Sequence, residues 1–272
     1  MRYPILNQYL AGLAQRADAS SLWLDASGRA HGRFFNCSMT SVFQPVRTLD
    51  SGSLVACEGL ARGVSHEDEG LSLWRLLEHA ASDDESIELD RLCRMLHAIN
   101  FFRQTGHFDA DLHLNVHGRL LSAVSSNHGF AFRRILDALE LPLGRIVLQL
   151  PATVPQQTWL LNYVADNYRR NGFRFAVTVT GVEEGLGLID RLRPDIVRFD
   201  ARAARDGEGL AKLVDAMGAS GGRVLFHHAE RPEALTALRA IADHAAHIPL
   251  VQGYALDLPR AQLPGPVARA AA

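Results

Sequence analysis

Polar residues stand at the ends of short apolar runs at regular intervals along this chain. They are Glu58, Asn115, Gln149, Thr178 with Thr180, Arg198 with Asp200, His227 with His228, and Gln252. A strand buried on both faces does not supply such groups by itself, although strand ends that merely meet solvent also turn polar. The set holds two carboxylates, three amides, one guanidinium and a pair of imidazoles. Adjacent divalent cations need several carboxylates to neutralise them, and this set is poor in them. His227 with His228, and His113 with His117 beside Asn115, invite a metal reading. No carboxylate joins them at a fixed spacing, and packed or solvated histidines are commoner than ligands, so no metal site is assigned.

Other chemistry is set aside by counts. Lys212 is the only lysine, so 27 of the 28 basic residues are arginines. Arginine stays protonated and does not serve in proton transfer or Schiff-base formation, and Lys212 reads as an exposed helical position. Cys37, Cys57 and Cys93 are an odd number without a C-x-x-C spacing, which fits a reducing compartment and argues against structural zinc.

The elements that must position these groups follow from periodicity. Residues 42–46 and 54–57 read as strands with a short connection, which suits antiparallel neighbours. Helices are expected at 70–81 and 85–104. Strands and helices then alternate: 111–116, 128–140; 145–150, 156–170; 173–179, 184–192; 195–199, 208–218; 223–226, 232–243; and a last strand at 248–251. Such alternation implies right-handed crossovers and a parallel sheet, and the number of units favours a closed (β/α) barrel. In such barrels function sits at the C-terminal strand ends, where the polar residues fall. Residues 1–40 have a different pattern. A helical stripe at Ile5, Leu6, Tyr9, Leu10 and Leu13 precedes a hairpin over 21–35, and the two are expected to cap the main domain. Residues 260–272 are expected to be a disordered tail.

The 272 residues are 47% hydrophobic and 21% charged with a formal charge of −2. The chain can bury a large core, and it lacks the positive excess that draws phosphates, so DNA is not an expected partner. No apolar run reaches the roughly 18 residues of a spanning helix, and Met1-Arg2-Tyr3-Pro4 does not open a signal peptide. A cytoplasmic protein without a membrane partner is the expectation.

Phe43-Gln44-Pro45, Glu58-Gly59-Leu60-Ala61-Arg62, Asn115, Arg198-Phe199-Asp200 and Gln252-Gly253-Tyr254 stand in an order and spacing that resembles the bacterial EAL domain family. The resemblance covers about residues 41–259. It implies a TIM-type (β/α) barrel with one antiparallel strand, here with a small N-terminal α/β cap. It also implies a site for cyclic di-GMP, which family enzymes hydrolyse with two divalent metals, Mg²⁺ or Mn²⁺.

Carried over by position, Glu58 and Asn115 match family metal ligands, and Asp200 matches the aspartate of Lys-x-Asp. Arg62 matches an arginine that contacts phosphate. The departures are substantial. Gln149 replaces a ligand glutamate, and Arg198 replaces the lysine. The Asp-Asp-Phe-Gly motif falls on 177–180 or 178–181 without an aspartate. His227 stands where the first late glutamate belongs, while Glu230 keeps the second. The resemblance therefore implies a degenerate member that is not an enzyme and has no catalytic or metal residues. Its expected ligand pocket is Gln44, Glu58, Arg62, Asn115, Arg198, Asp200 and Gln252. It would act as a non-hydrolytic cyclic di-GMP receptor with a regulatory partner protein and a homodimer as expected assemblies. A partner-binding regulator without nucleotide, and a phosphodiesterase with rewired ligands, stay open. So do local readings: Glu58 paired with Arg62, Asn115 bonded to loop backbone, Asp200 capping a helix start.

Overall fold

The computed structural model describes residues 2–15, 21–35, 37–63, 82–105, 109–118, 129–152 and 158–264. The strands are β1 (Leu22–Leu24), β2 (Ala30–Phe34), β3 (Cys37–Thr48), β4 (Leu54–Gly63), β5 (Asp111–Asn115), β6 (Ile146–Leu150), β7 (Arg174–Val179), β8 (Ile196–Asp200), β9 (Arg223–His227) and β10 (Leu250–Val251). The helices are α1 (Pro4–Ala14), α2 (Asp83–Phe102), α3 (Phe130–Ala138), α4 (Thr158–Arg170), α5 (Val182–Leu192), α6 (Gly207–Ala219) and α7 (Pro232–Ala242). Strands β4 to β10 pair in parallel in sequence order. Strand β3 is antiparallel to both β4 and β10 and closes the eight-stranded barrel. The short turn between β3 and β4 allows only this direction, as the sequence implied.

Paired residues share a face of the sheet, so the register identifies the interior. Val46, Ala56, Val147, Ala176, Ile196, Leu225 and Leu250 form an apolar cluster inside the barrel, separate from the larger core between sheet and helices. Two residues further toward the mouth, the same inward face carries Gln44, Glu58, Gln149, Thr178, Arg198, His227 and Gln252. On β5 the inward positions are His113, level with Glu58, and Asn115, level with Gln149. A polar ring thus rests on an apolar floor. Helix α2, the longest of the described helices, begins in a capping box, where Ser82 and Glu85 satisfy each other's backbone N–H, with acidic residues in its first turn.

Several boundaries differ from expectation. The break placed at residue 40 falls inside β3, because β2 continues the sheet by pairing with the first residues of β3. Asn100 of α2 anchors that hairpin, accepting from Ala30 N and donating to Ala30 O, both at 2.8 Å. Strand β4 runs six residues beyond the expected end, since β3 stays paired with it to Gly63. Arg260 exchanges two backbone hydrogen bonds with Phe43, and Leu263 N donates to Gln104 Oε1 at 3.0 Å, so packing continues to residue 264. The expected helix at 70–81 and residues 265–272 lie outside the described residues. Among the described residues, no helix is long and apolar enough to cross a membrane.

Candidate functional site

Four of the expected residues meet at Glu58. Asn115 Nδ2 donates to Glu58 Oε1 at 2.6 Å, and Gln252 Nε2 donates to Oε2 at 2.7 Å. Arg198 Nη2 stands 3.7 Å from Oε1, and Nη1 reaches Asn115 Oδ1 at 3.5 Å. Glu58 is 6% exposed, so its charge is held by fixed donors rather than by water. Gln252 reaches it because Gly253 follows: a Cβ there would lie 2.1 Å from Ala229 O.

Other expected residues are placed differently. Arg62 does not pair with Glu58. It lies four residues further along β4, roughly 13 Å toward solvent, exposed, and donates to Ala61 O. Asn115 bonds a carboxylate rather than loop backbone. Gln44 sits opposite Glu58 in register, yet its amide donates to Asp257 O at 3.1 Å. Asp200 accepts from Arg202 N at 2.9 Å and caps a short helical turn. It also meets the Arg202 guanidinium and the His228 ring, and these contacts hold its carboxyl well below the usual range.

The closed barrel with its odd strand first is matched by the wider comparison. The family model of the EAL domain matches residues 30–259. The chain belongs to the EAL domain family. Solved structures share the fold at low identity. The Bacillus subtilis YkuI protein, with an EAL domain in complex with c-di-GMP and calcium, has a TM-score of 0.68 and 19% identity, over 84% of this chain and 57% of that one. A Klebsiella pneumoniae BlrP1 manganese/cy-diGMP complex has a TM-score of 0.67 and 19% identity, over 82% and 56%. A standalone versatile EAL protein from Vibrio cholerae O395, in c-di-GMP bound form, has a TM-score of 0.64 and 19% identity, over 83% and 94%. The chain spans a little over half the length of the first two. No curated protein sequence matches it significantly.

The mouth of this EAL barrel carries buried polar atoms without partners among the described residues: both amide atoms of Gln149, both ring nitrogens of His227, His113 Nδ1 and Arg198 Nε. Burial, helped by the charge of Arg198, pushes His113 and His227 down to about 3, so both imidazoles are neutral at pH 7. Among the described residues, no group of three or more His, Cys, Asp or Glu side chains is placed to hold a metal ion.

Sequence reasoning missed a second set. Asp90, Arg94 and His97 are buried on α2, with Arg94 paired to Asp90 and His97 Nδ1 2.8 Å from Ser41 Oγ. Their i, i+4, i+7 spacing was the available signal. It puts three titratable groups on the stripe an amphipathic helix reserves for its core.

Proposed function

We propose that this EAL domain binds cyclic di-GMP at the barrel mouth without hydrolysing it, as a receptor that reports to a partner protein in the cytoplasm. The carrying observation is that Glu58 is the one carboxylate of its ring: Asn115 donates to it directly, Gln149, Thr178 and His227 beside it are uncharged, and Arg198 stands against the pair, 3.7 Å from Glu58 Oε1 and 3.5 Å from Asn115 Oδ1. Glu58 and Asn115 are the two retained groups that the family resemblance makes metal ligands; the amide carries no charge, and a permanent cation already offsets the carboxylate. A further cation about 4 Å away would be repelled by about 4 kcal/mol per unit charge at an effective dielectric near 20. Gln149, Thr178 and Thr180 supply no compensating charge. The donor set does not fit a metal pair.

The same set suits a metal-free dinucleotide. Arg198 and Arg62 offer guanidinium forks to phosphate, and Asn115, Gln252 and Gln44 offer amides to sugar and base. Asp200 orients Arg202 and His228 at the rim. The nucleotide complexes of the Bacillus, Klebsiella and Vibrio proteins support the choice of ligand.

Calorimetry in EDTA tests the reading. Cyclic di-GMP should bind wild type saturably, and Arg62→Ala should lose about ten- to a hundred-fold in affinity, the worth of one charge-assisted contact. Affinity unaffected by the substitution refutes this pocket, and no binding in wild type favours a regulator that acts by protein contact alone. Incubation with Mg²⁺ or Mn²⁺ followed by chromatography should yield no linear dinucleotide. Metal-dependent product that vanishes in Glu58→Ala would establish a phosphodiesterase with rewired ligands.

Self-association, if it occurs, should be uncoupled from the ligand. The turn into α5 is closed on itself, with Glu184 accepting from Thr180 N at 2.8 Å and Thr180 Oγ1 at 2.9 Å. Nucleotide affinity should therefore stay constant across protein concentrations that span homodimer formation, and an affinity that tracks dimerisation contradicts this.

A further inference from the structure

Helix α4 turns aromatic side chains to solvent. Its inner face is the one that amphipathic patterning requires: Leu160, Leu161, Val164, Ala165 and Tyr168 are buried in the core between helices and sheet. The opposite face should then be polar, but it carries Trp159 and Tyr163. Trp159 is 68% exposed, more than any other large apolar side chain among the described residues, and Tyr163 is 40% exposed. Asp166 and Arg170 continue the line and are exposed as well. At about 100° per residue the four fall within roughly 60° of one another, a single stripe along the outer side of the helix. One exposed aromatic is ordinary, but two on one stripe call for a reason. Arg169 does not shield them. It reaches Asp166 at 3.0 Å through Nη1 and otherwise turns toward the end of α5, donating to Leu192 O and lying over the Phe175 ring.

We propose that this stripe is a contact for a second copy of the chain, with the two α4 helices antiparallel about a two-fold axis. The order of the residues selects that occupant. Trp159, Tyr163, Asp166 and Arg170 are spaced 4, 3 and 4 apart, a heptad-like seam that reads the same in both directions. An antiparallel copy therefore sets Arg170 of the second copy against Trp159, and Asp166 of the second copy against Tyr163. Each pair recurs on the other side of the axis. Both matches are favourable, since a guanidinium is attracted to an indole face and a tyrosine hydroxyl donates to a carboxylate. A parallel copy would instead stack Arg170 on Arg170 and Asp166 on Asp166, so charge sets the direction. The apolar driving force comes from the indole and phenol rings, each of which can bury on the order of 150–250 Å². Phe130, the first residue of the neighbouring α3, is also exposed at the mouth end of the barrel and would widen the contact. A contact built on one helix face is small, which places this dimer among reversible, micromolar associations. The stripe lies on the side of α4 away from the barrel. The inference is thus independent of the nucleotide reading, and it agrees with a nucleotide affinity that does not follow self-association.

The test is sedimentation velocity on the full chain without nucleotide, from micromolar to several hundred micromolar protein. Wild type should pass reversibly from monomer to dimer. Trp159→Ala should weaken the dimer at least about thirty-fold, the loss expected of an aromatic hot spot. Arg170→Glu should weaken it as well by setting an anion against the indole face, whereas Arg170→Lys keeps the cation and should retain most of the association. Melting temperatures at low concentration should match wild type, because these side chains lie outside the core; if Trp159→Ala does not fold, Arg170→Glu carries the test alone. Lys212→Glu, at an exposed position of α6, is the control and should leave the association unchanged. A wild type that stays monomeric throughout overturns the proposal. So does a dimer that survives Trp159→Ala, or one that Lys212→Glu abolishes, since the contact then lies elsewhere. A dimer lost in Trp159→Ala but kept in Arg170→Glu retains the face and overturns the antiparallel pairing.

Discussion

Lowering the pH from 7 to 5 should cost this protein on the order of 5 kcal/mol of folding stability, enough to unfold a domain of ordinary stability. The cause is three buried imidazoles. His97, His113 and His227 are each pushed down to about 3, in every case chiefly by burial. Arg198 adds to the effect at His113 and His227, with Arg174 also facing His113 and His228 and Arg202 facing His227; Asp200 opposes it at His227. The unfolded chain binds protons at these sites near pH 6.5, while the folded chain does not until about pH 3. Stability is therefore full above pH 6.5 and falls as pH drops through the window from 6.5 to 3. Each group contributes a slope of up to about 1.4 kcal/mol per pH unit. Asp25 and Asp200 are held below the usual carboxylate range, so their loss comes at lower pH and does not mask the effect. Urea midpoints at pH 7, 6 and 5 measure it, and His113→Gln should flatten the slope by about one third. A midpoint that does not move between pH 7 and 5 would show that the imidazoles protonate in the folded state.

The same histidines show what could and could not be read from the sequence. The barrel was legible because strands and helices alternate, and its odd first strand was legible because the link from β3 to β4 is too short for a crossover. The convergence of Glu58, Asn115, Arg198 and Gln252 followed from one rule, that inward strand ends share a mouth. Placement within that mouth depended on contacts far apart in the chain. Gln44 turns to Asp257 O, 213 residues away, because the segment after β10 returns beside β3. Arg62 lies too far along β4 to pair with Glu58, and this needed the true length of β4, set by its pairing with β3. His97 and Gly59 are meaningless apart: a Cβ on Gly59 would lie 2.8 Å from His97 Cγ, so the glycine's value appears only when α2 is packed against β4. Arg94 and Asp90 satisfy each other inside the protein, so hydrophobic patterning reads them as interruptions.

Replacing Glu58 by alanine should destabilise the protein by about 3–5 kcal/mol and, at the same time, increase its response to nucleotide. The first effect follows from what the carboxylate holds. Arg198, whose side chain is 11% exposed, would lose the anion 3.7 Å away, and a buried charge stripped of its partner carries a cost of that order. The amide donors of Asn115 and Gln252 would lose their acceptor as well. The second effect follows from what a phosphate could restore. With Glu58 gone, a phosphate oxygen becomes the anion available to Arg198, and ligand that binds only the folded state stabilises it in proportion to affinity. The urea midpoint of Glu58→Ala should therefore rise more on adding cyclic di-GMP in EDTA than that of wild type. A metal-ligand role for Glu58 predicts otherwise: no response of either protein in EDTA and, with Mg²⁺ or Mn²⁺ present, a response of wild type that Glu58→Ala loses. A variant as stable as wild type would show that Arg198 does not depend on the carboxylate. A smaller nucleotide response would show that Glu58 recruits the ligand instead of competing with it.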